Sequence, residues 1–290
     1  MKRPTPTLRI MPHGTEAPQL AHAPWLLVDV GNTFLKWGRY QPSGDGPRAA
    51  LANCAVNGRV LLAEIPILAI EWRAQQCPEV VVISNVAGTR IRNPLLRALE
   101  VWTDTPAPVW INAQDEECGV RNEYRNPGQL GSDRWAALVG TRGLIGPSPA
   151  LVVVCGTATT MDLLDSEGRF RGGSIMPGLG LMQRSLHERT AALPDASGDY
   201  LRYPRQTVDA IASGCLHAQA GAVERVYQQY RLEYPELLCV VSGGAARMLS
   251  PRLQITHRLV DNLVLEGLYC IASRRAEAAQ EALPAVIARQ

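Results

Sequence analysis

Trp25-Leu26-Leu27-Val28-Asp29-Val30-Gly31-Asn32-Thr33-Phe34-Leu35-Lys36-Trp37 is the stretch on which the reading of the fold turns. The residues before Asp29 and after Thr33 are apolar or aromatic and read as two strands, with a tight turn between them. That turn has the makings of a phosphate cradle. Gly31 lets the backbone approach a ligand closely, Asn32 and Thr33 offer short polar side chains, and Asp29 ends a buried strand with a carboxylate. A second turn of the same style, Cys155-Gly156-Thr157-Ala158-Thr159-Thr160, succeeds the apolar run Leu151 to Val154. Two such turns, one in each half, imply a duplicated nucleotide-binding fold.

Working outward, the chain of 290 residues is long enough for two domains. A formal charge of only +2 gives no field of the kind that marks nucleic-acid or membrane binding. Among the 29 basic residues only Lys2 and Lys36 are lysines. Lys36 thus places a compact ammonium inside the first hairpin of an otherwise arginine-rich body, where it suits a phosphate. The seven cysteines are single, lack any C-x-x-C pair and sit mostly in apolar runs, so they read as small buried hydrophobes of a reducing, cytoplasmic protein. The five histidines show no ligand spacing. Neither a Walker sequence nor a G-x-G-x-x-G fingerprint is present, which excludes the commoner nucleotide folds.

Residues 1–24 carry prolines and basic residues without an apolar block, so they read as a flexible extension and not as a signal peptide or anchor. After the opening hairpin, a loop spans Pro42 to Pro47 and a third strand is expected near Ala49 to Val56. A helix is expected over Val60 to Gln76, a buried strand over Glu79 to Ser84, a helix from near Pro94, and a strand at Val109 to Ile111. Ser132 reads as the cap of a helix whose first turn holds Asp133 and Arg134. The run Gly146-Pro147-Ser148-Pro149 marks a boundary between domains 25–146 and 147–280. The second half repeats the order: strands at Leu151 to Cys155, Thr160 to Asp165 and Arg169 to Ile175, then helices from Gly178 to before Pro194 and from Thr207 to Glu233. A strand at Leu237 to Ser242 and a last helix from Asp261 complete it, with 281–290 a frayed tail. Three strands and then alternating helices and strands, twice over, describe two similar α/β domains with a cleft between them.

Asp29-x-Gly31-Asn32-Thr33 with Lys36, Gly131-x-Asp133-Arg134, Gly156-Thr157-Ala158-Thr159 and Gly172-Gly173-Ser174-Ile175-Met176-Pro177-Gly178 occur in one order. With Ser185 to Pro194 and Ser242-Gly243-Gly244, they resemble the type III pantothenate kinases, which include proteins labelled Bvg accessory factor. The resemblance runs from about Trp25 to Ala279. It implies two tandem actin-like domains of the ribonuclease H-like, acetate and sugar kinase superfamily, a homodimer, and an ATP-dependent phosphorylation of pantothenate that opens coenzyme A synthesis. It further implies that Asp29, Val30, Gly31, Asn32, Thr33, Phe34, Leu35 and Lys36, with Thr157, contact ATP. Asp29 would hold Mg²⁺ directly or through water, and Asp133 would accept the proton of the attacking hydroxyl.

Tyr124, Gly131, Ser132, Asp133 and Arg134 would contact pantothenate, with Arg134 facing its carboxylate and Thr207 reaching it across the dimer. Family members also hold a monovalent cation, K⁺ or NH₄⁺, on an Asp two positions before the glycine of the second turn. This chain has Val154 there, and an apolar side chain cannot coordinate a hard cation. Two other readings remain open on the residues alone: a kinase of another small alcohol or sugar, and a regulatory protein that keeps the fold without catalysis. Tyr124 with Gly131 to Arg134 argues against the first, and the intact set Asp29, Lys36 and Asp133 against the second.

Overall fold

The computed structural model describes residues 24–42, 54–190, 193–194 and 198–287. All but the last residue of the expected extension at 1–24, the loop after Pro42 and most of the strand near Ala49 lie outside these residues. In chain order the elements are β1 (Trp25–Val30), β2 (Phe34–Tyr40), β3 (Cys54–Leu61), α1 (Leu68–Arg73), β4 (Val80–Asn85), α2 (Arg92–Leu99), β5 (Val109–Ile111), β6 (Glu116–Glu117), β7 (Val120–Asn122) and α3 (Ser132–Ile145). They continue with β8 (Ala150–Cys155), β9 (Ala158–Leu164), β10 (Arg169–Pro177), α4 (Leu179–Arg189), α5 (Thr207–Arg231), β11 (Leu238–Ser242), α6 (Ala246–Leu249), β12 (Arg258–Leu259) and α7 (Leu263–Ile287).

The strands form a five-stranded sheet in the order β3-β2-β1-β4-β5 and a seven-stranded sheet in the order β12-β11-β8-β9-β10-β7-β6. The central strands are buried on both faces, which is why they read as near-continuous apolar runs. Strand alternation assigns each residue its side. In β1, Leu26, Val28 and Val30 pack outward with Leu68, Trp72 and Leu95 of α1 and α2. Trp25 and Leu27 point the other way, into a core shared with α3 and α7. In β8, Leu151, Val153 and Cys155 pack with Val223 and Tyr227 of α5, while Ala150 and Val152 face the same central core. The molecule is therefore layered as helices, sheet, the pair α3 and α7, sheet, helices.

The two central helices touch backbone to backbone. A Cβ on Gly267 would stand 1.7 Å from the carbonyl oxygen of Ala136, and one on Gly140 2.7 Å from that of Leu263. Only glycine admits so close a crossing.

Several expectations need correction. The third strand runs to Leu61, because pairing with β2 buries Val60 opposite Leu35. Beyond it the chain forms a 3₁₀ stretch over Leu62–Ile67 that contains Pro66, and the α-helix is confined to Leu68–Arg73. Residues 116–122 form two short strands that no pattern announces, and these hydrogen-bond into the second sheet although they precede position 146. Helix α7 is continuous to Ile287, past residue 281 where a tail is expected.

Candidate functional site

The same alternation that sends Trp25 and Leu27 inward places Asp29 on the inner face at the C-terminal end of β1. Its register neighbours are Lys36 on β2 and Ser84 on β4. Helix α3 begins beside these strand ends, held there by a 2.9 Å hydrogen bond between the hydroxyls of Ser84 and Ser132. Ser132 is thus the first residue of the helix and not its cap; that position falls to Gly131, and Ser132 is buried on the strand. The second turn arrives from the opposite lobe, and the Thr33 and Thr157 hydroxyls meet at 2.9 Å. Each turn is closed by its glycine N–H, Gly31 donating to the Phe34 carbonyl and Gly156 to that of Ala158, so the second turn is one residue shorter.

Between them lies a cleft of about 340 Å³ lined by Asp29, Thr33, Lys36, Asp133, Arg134 and Thr157 together with Gly31, Asn32 and Phe34. On the second lobe it is bordered by Ser242 to Ala245 and by the first turn of α7. Gly243, with φ of 103°, lies against the Cys155 backbone, a conformation and an approach that a side chain would prevent. Cleft and strand ends coincide as they do in other open α/β sheets, where ligands sit beyond the carboxyl edges.

Asp29 and Asp133 line this one cleft, close enough that the charge of Asp133 acts on Asp29. Burial pushes the Asp29 carboxyl up to about 7, with Lys36 pulling it down and Asp133 raising it. Asp29 Oδ1 is buried and has no hydrogen-bond partner among the described residues. A lone buried acceptor of this kind suits a divalent cation carried in with phosphates, since Mg²⁺ is usually held by one or two carboxylates and otherwise by water and phosphate. The residues present therefore fit Mg²⁺ bound at Asp29. Asp133 is also raised, chiefly by burial and against the hydrogen bond it accepts from the Arg134 N–H at 2.8 Å. A Cβ on Gly131 would lie 2.6 Å from Asp133 Oδ1, so glycine there leaves room for the carboxylate to fold back.

Arg134 is engaged otherwise than expected. Its guanidinium forms a buried ion pair with Asp162 on β9, and it donates to the Tyr124 hydroxyl at 3.0 Å. Burial alone would lower its pKa, but the bonds and charge of Asp162 raise it; burial in turn pushes the Asp162 carboxyl up, against the pull of Arg134. The neighbouring strand makes room for this. A Cβ on Gly173 would lie 2.0 Å from Asp162 Oδ1, while Gly172, with φ of 121°, carries the bulge that re-aims β10. Tyr124 packs at 5.0 Å on Phe170, the rings tilted.

The remaining expected residues sit apart. Val30 and Leu35 are wholly buried in the first lobe, and Tyr124, Gly131 and Ser132 do not line the cleft, although Tyr124 bonds Arg134 and Gly131 lies against Asp133, both of which do. Thr207 is exposed at the start of α5, away from the cleft, and makes no side-chain cap. Conversely, Arg59 and Arg184 line the cleft without any sequence signal having marked them. Arg59 needed the true extent of β3, which sets it opposite Lys36. Arg184 needed the rotation of α4, for which no local signal exists.

Val154 occupies in β8 the position that Asp29 has in β1, two residues before the turn glycine and facing inward. Its cross-strand partner is Thr160, whose Oγ1 is buried. One hydroxyl, with Asp162 already bound to Arg134, makes no cation cage, and the residues present do not fit the monovalent ion.

Residues 25–229 match the family described as type III pantothenate kinase. The chain is 44% identical over 247 residues to the type III pantothenate kinase of Dechloromonas aromatica, which covers 84% of this chain and 97% of that one. It is 45% identical over 253 residues to that of Aromatoleum aromaticum, covering 87% and 99%. Among solved structures, a protein from Sinorhizobium meliloti described as a 2-dehydro-3-deoxygalactonokinase superposes with a TM-score of 0.53 at 16% identity, covering 87% of this chain and 98% of that one. That likeness is one of fold, and the fold is the actin-like, sugar kinase one.

Proposed function

The chain belongs to the type III pantothenate kinase family, whose activity is the ATP-dependent phosphorylation of pantothenate in coenzyme A synthesis, and on that premise we propose how its cleft divides the work. Phosphoryl transfer needs positioning and charge neutralisation more than covalent chemistry. The backbone of Gly31 to Thr33, the Lys36 ammonium and the Thr157 hydroxyl hold the phosphates. Ser242 to Ala245 and the start of α7 lie where the rest of the nucleotide extends. Asp29 would hold Mg²⁺, which supplies positive charge against the phosphate oxygens when bound.

Asp133 takes the proton of the pantothenate hydroxyl as it attacks. Burial raises its basicity toward that task, and the Arg134 N–H fixes its orientation. Arg134 lines the cleft and keeps two N–H donors beyond those given to Asp162 and Tyr124, which we assign to the pantothenate carboxylate. The observation that carries the reading is that Asp29 and Asp133, from different elements, face one cleft at the point where the two turns meet. In a coupled assay Asp133→Asn should lose turnover by about a hundredfold or more while nucleotide affinity holds. Full activity in that variant would refute the base assignment.

The unfit cation site leads us to assign the reaction no monovalent requirement, so rates in K⁺, NH₄⁺ and Na⁺ salts should coincide. A homodimer is supported by exposed apolar residues on the second lobe, Ile175, Leu186, Leu201 and Tyr203. Thr207 lies on that lobe too, where a second copy would bring it to the partner's substrate. Sedimentation equilibrium tests this, and a monomer with full activity would remove it. Among the described residues no helix is long and apolar enough to cross a membrane, and a cytoplasmic enzyme is the reading that accords with unpaired cysteines.

A further inference from the structure

The cleft holds two arginines that the reaction scheme above leaves without work. Arg59 projects from β3 directly opposite Lys36, and its guanidinium lies 5.3 Å from the centre of the Phe34 ring, at the edge of the first turn. Arg184 projects from α4 in the other lobe. It folds back along its helix until Nη1 lies 3.4 Å from where a Cβ on Gly180 would stand. That helix starts against the second turn, since Gly178 N–H donates to the Thr157 carbonyl at 2.9 Å. The two arginines therefore line the cleft from opposite lobes, in company with Thr33 and Thr157.

Both side chains are exposed, and among the described residues neither makes an ion pair, in contrast with Arg121 and Arg169. Phe34 explains where Arg59 rests but leaves its N–H donors without a partner among the described residues. The glycine at 180 clears a path for Arg184 that any larger residue would narrow. A guanidinium with free donors, at the mouth of a cleft already shaped for phosphate, matches the forked geometry of phosphate oxygens.

We propose that Arg59 and Arg184 form a two-lobed clamp on the terminal phosphates of ATP, completing the charge balance that Lys36 begins. This rests on the cleft being the ATP site. The clamp reads the length of the phosphate chain: a triphosphate reaches both arginines, whereas a monophosphate reaches neither. Product release depends on the same contact, because ADP, lacking the γ-phosphate, cannot span the pair.

The test is calorimetric titration of the full chain with the non-hydrolysable triphosphate AMP-PNP, with ADP and with AMP, in Mg²⁺ buffer. The variants are Arg59→Gln, Arg184→Gln and the double exchange, with Arg59→Lys and Arg184→Lys as conservative partners. Each Gln variant is expected to lose about tenfold or more in AMP-PNP affinity, as for other charged hydrogen bonds. AMP affinity should not change, ADP should fall between, and the Lys variants should recover part of the loss. In steady state the KM for ATP should rise and that for pantothenate should hold. Equal losses for AMP and AMP-PNP, no loss at all, or a rise confined to the KM of pantothenate would each overturn the clamp. Wild-type protein that binds AMP-PNP by this pattern yet phosphorylates no pantothenate would instead overturn the kinase reading and leave the clamp standing.

Discussion

At the scale of single residues, the site sets stability against function. Asp29 ionises in a buried position beside another carboxylate, and burial puts its pKa at about 7 against an ordinary 3.8. Between those values the folded protein binds a proton that the unfolded chain has released. Its contribution to stability is therefore complete below about pH 4 and is lost as pH rises through 7. Asp29→Asn should raise the melting temperature at pH 8, by the equivalent of on the order of 4 kcal/mol, and leave it unchanged near pH 4. A melting temperature equally raised at both pH values would show that the effect is not ionisation. The Arg134–Asp162 pair carries the opposite risk. Its side chains are 7% and 1% exposed, so Asp162→Asn strands a buried guanidinium and should cost about 3–5 kcal/mol in denaturant unfolding.

At the scale of elements, what local chemistry decides is legible in the sequence and what pairing decides is not. The two turns can be read because Gly31, Asn32, Thr33, Gly156 and Thr157 carry their geometry in their own side chains. The first turn of α3 is legible for the same reason. Strands β6 and β7 are not, since two or three residues have no periodicity and owe their state to partners such as Arg169 and Phe170. The end of β3 escapes a local reading because Val60 obeys its neighbour Leu35 and not its own sequence context. Arg134 reads as free to meet a carboxylate because nothing local reveals Asp162, 28 positions away. Gly173 shows the same dependence. Gly173→Ala drives a methyl group into Asp162 and should lower kcat by about a hundredfold through misplaced Arg134 and Asp133, with secondary structure by circular dichroism retained.

At the scale of the whole molecule, the lobes are joined through the central layer, where α3 and α7 share a core drawn from both sheets. Gly267→Ala would force a methyl group into the Ala136 carbonyl, and about 3 kcal/mol or more of stability should be lost in urea titration. The duplication is plain in the strand order of each half and broken in one telling place. Where β1 ends in Asp29, β8 presents Val154. Val154→Asp would bury a carboxylate with no counter-charge, and its melting temperature is expected to become dependent on added K⁺, which the parent protein's is not. The halves have diverged at this one strand end, which carries a carboxylate in the first and an apolar side chain in the second.

The touching hydroxyls of Thr33 and Thr157 carry a kinetic corollary. An arriving nucleotide has to part them before its phosphates can settle, so this small bond acts as a gatekeeper on the association rate. Removing one hydroxyl, as in Thr33→Ala, should speed capture of a fluorescent ATP analogue in stopped-flow mixing and hasten its escape still more. Entry and retention at the mouth of this enzyme would then be governed by the same pair of oxygen atoms.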